Sequence, residues 1–153
     1  MGITLQIDPA TTAWRPDDAT LAKIGRIVSD DTNVTVRIWP RSLIGQVTGR
    51  AYLEPYAFRA RNVGGTMIDL FADRTETRES VAWLLAHELA HSRLAAFPEV
   101  RHELQQARPR SDPASDHFHK VDPEERYCDG IATRIVGARL DREWWRKRVE
   151  ASR

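Results

Sequence analysis

The apolar stretch VAWLLAHELAHSRL, residues 81–94, constrains the fold more than any other part of the chain. Its leucines supply an apolar face for a helix. Upstream, Asp73 is followed three residues later by Glu76, an arrangement typical of a helix N-terminus, and Pro98 marks the other end or a bend. The sequence therefore predicts one long helix over residues 73–97.

The chain that precedes this helix has the pattern of a small sheet. Alternating and β-branched residues predict strands at residues 3–7 and 33–39, and an amphipathic helix is predicted between them over residues 15–30. Two or three further strands are predicted within residues 46–71, with a turn at Gly64-Gly65 before the last of them. We therefore expect a small, mostly antiparallel N-terminal sheet with one helix.

The chain that follows the long helix is helical in character. We predict a short helix over residues 98–107 and a loop over the proline-containing residues 108–123. The pair Asp122-Pro123 fits the N-cap and first position of another helix, and a basic helix over residues 141–153 closes the chain. Strands first and helices second predict an α+β fold.

Composition excludes several classes of function. The formal net charge is +1, so no overall electrostatic field draws the chain to nucleic acid or to a membrane. We interpret Trp144 and Trp145, which could stack on nucleic acid, as anchors of the last helix on the core. Cys128 is the single cysteine, which excludes an intramolecular disulfide and a cysteine-rich zinc site. No run approaches the roughly 18 apolar residues that span a bilayer, and the start lacks the pattern of a signal peptide. We expect one cytoplasmic domain over residues 1–153, with neither a membrane nor a nucleic-acid partner.

The long helix contains the pattern H-E-x-x-H, formed by His87, Glu88 and His91. Four residues turn a helix by about 400°, so the two imidazoles point the same way, roughly 6 Å apart. Two imidazoles at this spacing can bind one Zn²⁺, and the glutamate beside them can act as general base toward a zinc-bound water. A helix that needed only burial would not hold a lone carboxylate, because burying one is costly. The pattern therefore predicts a zinc site with Glu88 as the catalytic base.

A catalytic zinc also needs a third protein ligand and an open fourth position. A histidine six residues after His91 is absent, because Phe97 stands there, and His102 falls in a different predicted element. The candidates that remain lie further along the chain: His117, His119, Glu124 and Glu125.

Among these candidates, Glu125 is favoured by its place on the helix that begins at Asp122. Asp129 lies one turn further along the same face, so one carboxylate could bind zinc while the other holds the outer nitrogen of a ligand histidine. Glu125 could instead only cap its helix, since Asp122 and Glu125 have the spacing of a capping box. Glu124 is expected to be a solvated neighbour.

The segments RESVAWLLAHELAHSRL and EERYCDGIATRIV together resemble the gluzincin metallopeptidases, in particular the small ImmA/IrrE-type and minigluzincin domains. In that family the zinc-binding helix reads H-E-L-x-H and a downstream helix reads E-x-x-A-[ND]-x-F-A. The downstream match here runs through Glu125, Cys128, Asp129, Ile131 and Ala132. The resemblance covers residues 66–136, and Cys128 stands where the family usually has a small residue.

The resemblance implies a zincin-like domain that hydrolyses peptide bonds in a protein substrate. It implies that one zinc ion is bound by His87, His91 and Glu125, with Glu88 as the general base and Asp129 supporting a ligand histidine. The chain would then be a zinc metalloendopeptidase.

The resemblance also implies where the substrate binds. The strand before the active-site helix, Thr66–Phe71, would be an edge strand along which an extended peptide can pair. His117 and His119 are candidates for stabilising the oxyanion or for a fourth zinc ligand. The alternative hypothesis is a regulatory or binding module, in which the loop over residues 108–121 covers the cleft and His119 or Asp116 closes a structural or latent zinc site.

Overall fold

The computed structural model describes residues 2–9, 16–29, 31–49, 60–72, 78–111, 118 and 121–137. The strands are β1 (Gly2–Ile7), β2 (Asn33–Trp39), β3 (Ala60–Val63) and β4 (Met67–Phe71). The helices are α1 (Asp18–Gly25), α2 (Ile44–Thr48), α3 (Arg78–Ala95), α4 (Pro98–Gln106) and α5 (Pro123–Val136), with a 3-10 turn at Arg41–Leu43 before α2. The fold is α+β, as the order of the predicted elements indicates.

The direction of the strands differs from the prediction. The described strands form one sheet in the order β1-β2-β4-β3, in which β1 pairs with β2 and β2 with β4 in parallel, and only β3 and β4 are antiparallel. The expectation of a mostly antiparallel sheet is therefore wrong. The reason is α1: a helix between two strands carries the chain back to the end where the first strand began, so the second strand runs parallel to it.

The position of the last strand also needs correction. Within the described sheet, β4 is no edge strand, because Ile68 pairs with Val36 of β2 on one side and with Asn62 of β3 on the other. Thr66, at its start, accepts a hydrogen bond from the backbone N–H of Thr35 at 2.9 Å. From Ile68 to Phe71 every residue is buried, the pattern of a strand covered on both faces. At this end of the described sheet lies β3 instead.

A short helix replaces part of the region predicted as strand. Residues 46–48 belong to α2, which ends at Gly49 with a φ of +68°. The predicted turn at Gly64-Gly65 is confirmed, and both glycines have positive φ. The strands predicted between residues 50 and 59 lie outside the described residues, as do the N-cap pair Asp73 and Glu76.

The core lies between the sheet and α3. Val36 and Ile38 of β2, with Ile68 and Leu70 of β4, face the helices and are at most 1% exposed. Every residue from 81 to 90 in α3 is buried, because this helix packs against β3 and β4 on one side and α5 on the other. A helix enclosed in this way is apolar around most of its circumference.

The opposite face of the sheet carries a row of charges that fixes the register of three strands. Asp69 of β4 is fully buried and accepts hydrogen bonds from Arg37 of β2 at 2.7 Å and from Arg61 of β3 at 2.7 Å. Trp39 donates its indole N–H to the same carboxylate at 2.9 Å. Burial alone would raise the pKa of Asp69, but these hydrogen bonds outweigh it and lower the pKa below its usual value. The row therefore holds β3 firmly on β4.

The described helices include none that combines the length and the hydropathy needed to cross a lipid bilayer.

Candidate metal centre

Helix α3 brings the two histidines of H-E-x-x-H together. The Nε2 atoms of His87 and His91 lie 3.2 Å apart, and the two rings meet edge to face with their centroids 4.9 Å apart. Both side chains are largely buried. One helical turn of separation thus directs both imidazoles to one point, as the spacing predicts.

Helix α5 places Glu125 at the same point. Its Oε2 lies 3.0 Å from Nε2 of His87 and its Oε1 lies 3.4 Å from Nε2 of His91. One ligand atom from each of the three side chains lies within 4.8 Å of the other two. The cap of α5 explains how this position is reached: the side chain of Asp122 accepts from the backbone N–H of Glu125 at 3.0 Å, so the helix begins with Glu125 in its first turn.

The outer nitrogens of the two imidazoles each face a carboxylate. Nδ1 of His87 lies 2.8 Å from Asp129, the residue expected to support a ligand histidine. Nδ1 of His91 lies 2.8 Å from Glu124. Glu124 is only 2% exposed, so the expectation of a solvated neighbour is wrong. Adjacent residues on a helix point about 100° apart, which lets Glu124 and Glu125 reach opposite sides of one imidazole.

Glu124 is in turn held by the helix before it. Arg101 of α4 donates to its Oε1 at 2.8 Å and Gln105 donates at 3.3 Å. Burial would raise the pKa of Glu124, but hydrogen bonds from His91 and Arg101 outweigh it and lower the pKa to about 2. The sequence made Glu124 a candidate ligand, but its buried position beside His91 was not predicted. The available indication was the spacing of Arg101 and Gln105, which places two donors one turn apart on a predicted helix.

The cluster attracts positive charge. Burial would lower the pKa of His87, but interactions with Asp129, Glu125 and Glu88 outweigh it and raise the pKa to about 9. Burial opposes protonation of His91 as well, yet its contacts with Cys128, Glu124 and Glu125 raise its pKa well above the usual value. The carboxylates around the two imidazoles therefore favour a positive charge at this point.

The geometry fits Zn²⁺. Ligands at about 2.0–2.1 Å around a tetrahedral zinc lie about 3.3 Å from one another. The two Nε2 atoms lie 3.2 Å apart, and the carboxylate of Glu125 lies 3.0 Å from Nε2 of His87 through Oε2 and 3.4 Å from Nε2 of His91 through Oε1. If both Nδ1 atoms carry their protons toward Asp129 and Glu124, the two Nε2 lone pairs face each other, an arrangement that needs a cation between them. Two imidazoles and one carboxylate are also a donor set that zinc accepts.

Glu88 follows His87 in α3 and is 8% exposed. The charge of its carboxylate contributes to the raised pKa of His87. Its backbone carbonyl accepts a hydrogen bond from Asn62 of β3 at 2.9 Å. The backbone of the residue predicted as general base is thus in contact with the end strand of the described sheet.

Two further residues contact the histidines of the cluster but are not among the candidate ligands. Trp83 stacks on His87 with 5.5 Å between ring centroids and donates its indole N–H to Thr133 of α5 at 3.2 Å. Cys128 is fully buried, and burial raises the pKa of its thiol to about 11. A buried, protonated thiol is a compact hydrophobe rather than a reactive group. Trp83 carries no pattern that would have identified it from the sequence.

Of the remaining candidates, the structure describes only His102, which does not reach this site. His102 is exposed on α4 and pairs with Gln106 at 3.1 Å. His117, His119 and Asp116 lie outside the described residues, and so do Trp144 and Trp145.

Comparisons of the chain with protein-family models, with curated proteins and with solved structures gave no match.

Proposed function

We propose that this protein is a zinc-dependent metallopeptidase with a zincin-like arrangement of its site. The observation that carries the proposal is the convergence of His87, His91 and Glu125, from two helices, at separations that suit one tetrahedral ion. The outer nitrogen of each histidine faces its own carboxylate, the arrangement by which proteins orient imidazoles toward zinc. The three ligands found among the described residues would leave one position of a tetrahedral ion for water or substrate, the pattern of a catalytic rather than a structural site.

The residues of the chain divide the work of hydrolysis. A bound zinc ion lowers the pKa of water and polarises a carbonyl. Asp129 and Glu124 lie against the Nδ1 atoms of the two imidazoles, where a carboxylate that accepts a hydrogen bond from Nδ1–H turns Nε2 toward the metal position. Glu88 accepts a proton from the attacking water and later delivers it to the leaving amine. Glu88 is largely buried, which favours proton transfer to a bound substrate over proton exchange with bulk water.

The strand that would receive the substrate is β3. It ends the described part of the sheet, and α3 packs against it. An extended peptide that added to this strand would run past Glu88, because Asn62 of β3 hydrogen-bonds the backbone of that residue. A protein segment in extended conformation is therefore the substrate class that the geometry favours, and the proposed binding strand is β3 rather than β4.

Metal content is the first test. We expect the protein purified without added metal or chelator to contain about one zinc ion per chain, measured by inductively coupled plasma mass spectrometry. The variant His87→Ala should lose the metal. His102→Ala is the matched control, since His102 is exposed and pairs only with Gln106 among the described contacts. Wild-type protein without metal, which also takes up none on titration, would contradict the proposal.

The role of Glu88 separates a peptidase from a binding module with a closed zinc site. We expect Glu88→Gln to retain zinc and to lower peptide cleavage by about 100-fold or more, because it removes the proton acceptor and leaves the ligands in place. Cleavage is measured with a mixture of quenched fluorescent peptides. If zinc is bound and the wild-type and Glu88→Gln proteins behave alike in every assay, the module with a closed site is the better account.

A further inference from the structure

Asn62 on β3 links the end strand of the described sheet to the helix that carries H-E-x-x-H. Its Nδ2 donates to the backbone carbonyl of Glu88 at 2.9 Å and to Oγ of Ser92 at 2.8 Å. Its Oδ1 accepts from the backbone N–H of Gly65 at 2.8 Å. Both donors and the carbonyl of the amide are in use, and these partners determine which way the amide faces.

A second contact between the same two elements lies in the turn that follows β3. Gly65 has a φ of +79°, and a Cβ placed on it would lie 2.6 Å from Cβ of Ala95. The turn therefore lies directly against the last turn of α3. Ala95 is seven residues after Glu88, about two helical turns away. The strand and the turn after it thus meet α3 at two separate points, through hydrogen bonds at Asn62 and through close packing at Gly65.

The groups that fix β3 on α3 are distinct from those that fix the ligands. Asn62 makes its hydrogen bonds to the Glu88 carbonyl, Ser92 and Gly65, and to none of the three candidate ligands. The imidazoles are oriented from the other side, by Asp129 and Glu124 of α5. A change at Asn62 can therefore move the strand relative to the base without disturbing the metal.

We propose that Asn62 is a positioning residue, which sets the distance between a peptide lying on β3 and the base Glu88 with its flanking histidines. The inference rests on the proposed peptidase function and deepens it. The peptide bond to be cleaved must reach the base and the metal ligands at the same time. A misplacement of about 1 Å can lower the rate about 100-fold. An aspartate at position 62 would keep the shape of the side chain, lose both donors and turn a negative oxygen toward the Glu88 carbonyl.

Two hydroxamates test the inference without relying on turnover. Acetohydroxamate needs only the metal, whereas a tripeptide hydroxamate such as Pro-Leu-Gly-hydroxamate also needs the strand. We expect Asn62→Asp to bind zinc and acetohydroxamate within about twofold of wild type and to bind the tripeptide hydroxamate at least about tenfold more weakly. Asn33→Asp is the matched control, because Asn33 is exposed at the start of β2.

Each outcome decides the matter. The inference would be overturned if Asn62→Asp kept the wild-type preference for the tripeptide hydroxamate. It would also be overturned if the variant lost zinc and both hydroxamates in parallel. Either result leaves the peptidase proposal intact. A zinc-loaded wild type that shows no preference would overturn the substrate strand itself. If Asn62→Asp does not fold, the variant Ser92→Ala replaces it, because it removes one of the two acceptors of Asn62 Nδ2. A partial loss of the preference for the tripeptide hydroxamate would support the role of Asn62. An unchanged preference would contradict it.

Discussion

Both ring nitrogens of each histidine in the candidate centre lie close to a carboxylate. The inner nitrogens meet Glu125, and the outer ones meet Asp129 and Glu124. The two outer carboxylates are in different surroundings. The Glu124 side chain is 3% exposed and held by an arginine, whereas that of Asp129 is 37% exposed. Substitution at Asp129 therefore tests the orientation of His87 with little risk to the fold.

We predict that Asp129→Asn lowers zinc affinity about 10- to 100-fold, because the neutral amide orients the imidazole less firmly and makes it a weaker donor to the metal. Zinc affinity is measured by competition with a chromogenic chelator. Asp18→Asn, at an exposed position in α1, is the control and should leave the affinity unchanged. Equal affinities of Asp129→Asn and wild type would show that the contact with His87 has no influence on the metal.

At the scale of single elements, the turn between β3 and β4 combines two left-handed glycines with a close approach to α3. Gly64 and Gly65 both have positive φ, at +64° and +79°. Only at Gly65 does a Cβ meet the neighbouring helix, whereas at Gly64 nothing lies within 4 Å. The pair therefore separates backbone strain from close packing.

We predict that Gly64→Ala costs about 1 kcal/mol in the free energy of unfolding, because it forces a left-handed conformation on a residue with a Cβ. Gly65→Ala should cost about 1–3 kcal/mol more, since its methyl group also collides with Ala95. Urea denaturation followed by circular dichroism measures both values. Similar costs for the two substitutions would contradict the close approach of the turn to α3.

Elements whose sequence pattern is local could be predicted closely. The strand at residues 33–39, the helix capped by Asp122 and the turn at Gly64-Gly65 are all found where alternation, capping and glycine indicate. The direction of pairing could not be predicted in the same way, because it depends on where α1 and the segment after β2 carry the chain. The run MIDLF, apolar except for Asp69, was the available indication that β4 lies inside the sheet.

In the candidate site too, residues placed by local spacing could be predicted, and residues placed by contacts between distant segments could not. His87, Glu88 and His91 follow from one helical turn, and Glu125 with Asp129 from a second one, so spacing alone proposes them. The position of Glu124 could not be predicted, because its burial depends on Arg101 and Gln105 of a separate helix. Asn62 was missed for a similar reason: it acts through a contact with α3 across 26 residues of chain.

At the scale of the whole molecule, the metal-free protein should be most stable in mildly acidic solution. The pKa of His87 is raised from 6.5 to about 9 in the fold, so its stabilising effect is complete below pH 6.5 and is lost as the pH rises through about 9. The pKa of Glu124 is lowered from 4.5 to about 2, so its effect is present above pH 4.5 and is lost as the pH falls through about 2. Between these limits both groups stabilise the fold.

We therefore predict that the thermal midpoint in excess chelator is highest between about pH 4.5 and pH 6.5 and falls on either side. The decrease toward pH 9 should correspond to a few kcal/mol at most and should be smaller in His87→Gln, which cannot take up the proton. Differential scanning calorimetry across this range measures it. A midpoint that stays constant from pH 6.5 to pH 9 would contradict the raised pKa of His87.

The stacking of Trp83 on His87 means that the molecule contains its own optical probe. An indole in face contact with an imidazole senses whether that ring is neutral, protonated or bound to a cation, because each state places a different charge beside its π-system. Its emission should therefore follow the occupancy of the centre in unlabelled protein, and Trp83→Phe would remove that response while the other tryptophans still emit. A group that holds two helices together thereby also makes the state of the site visible in real time.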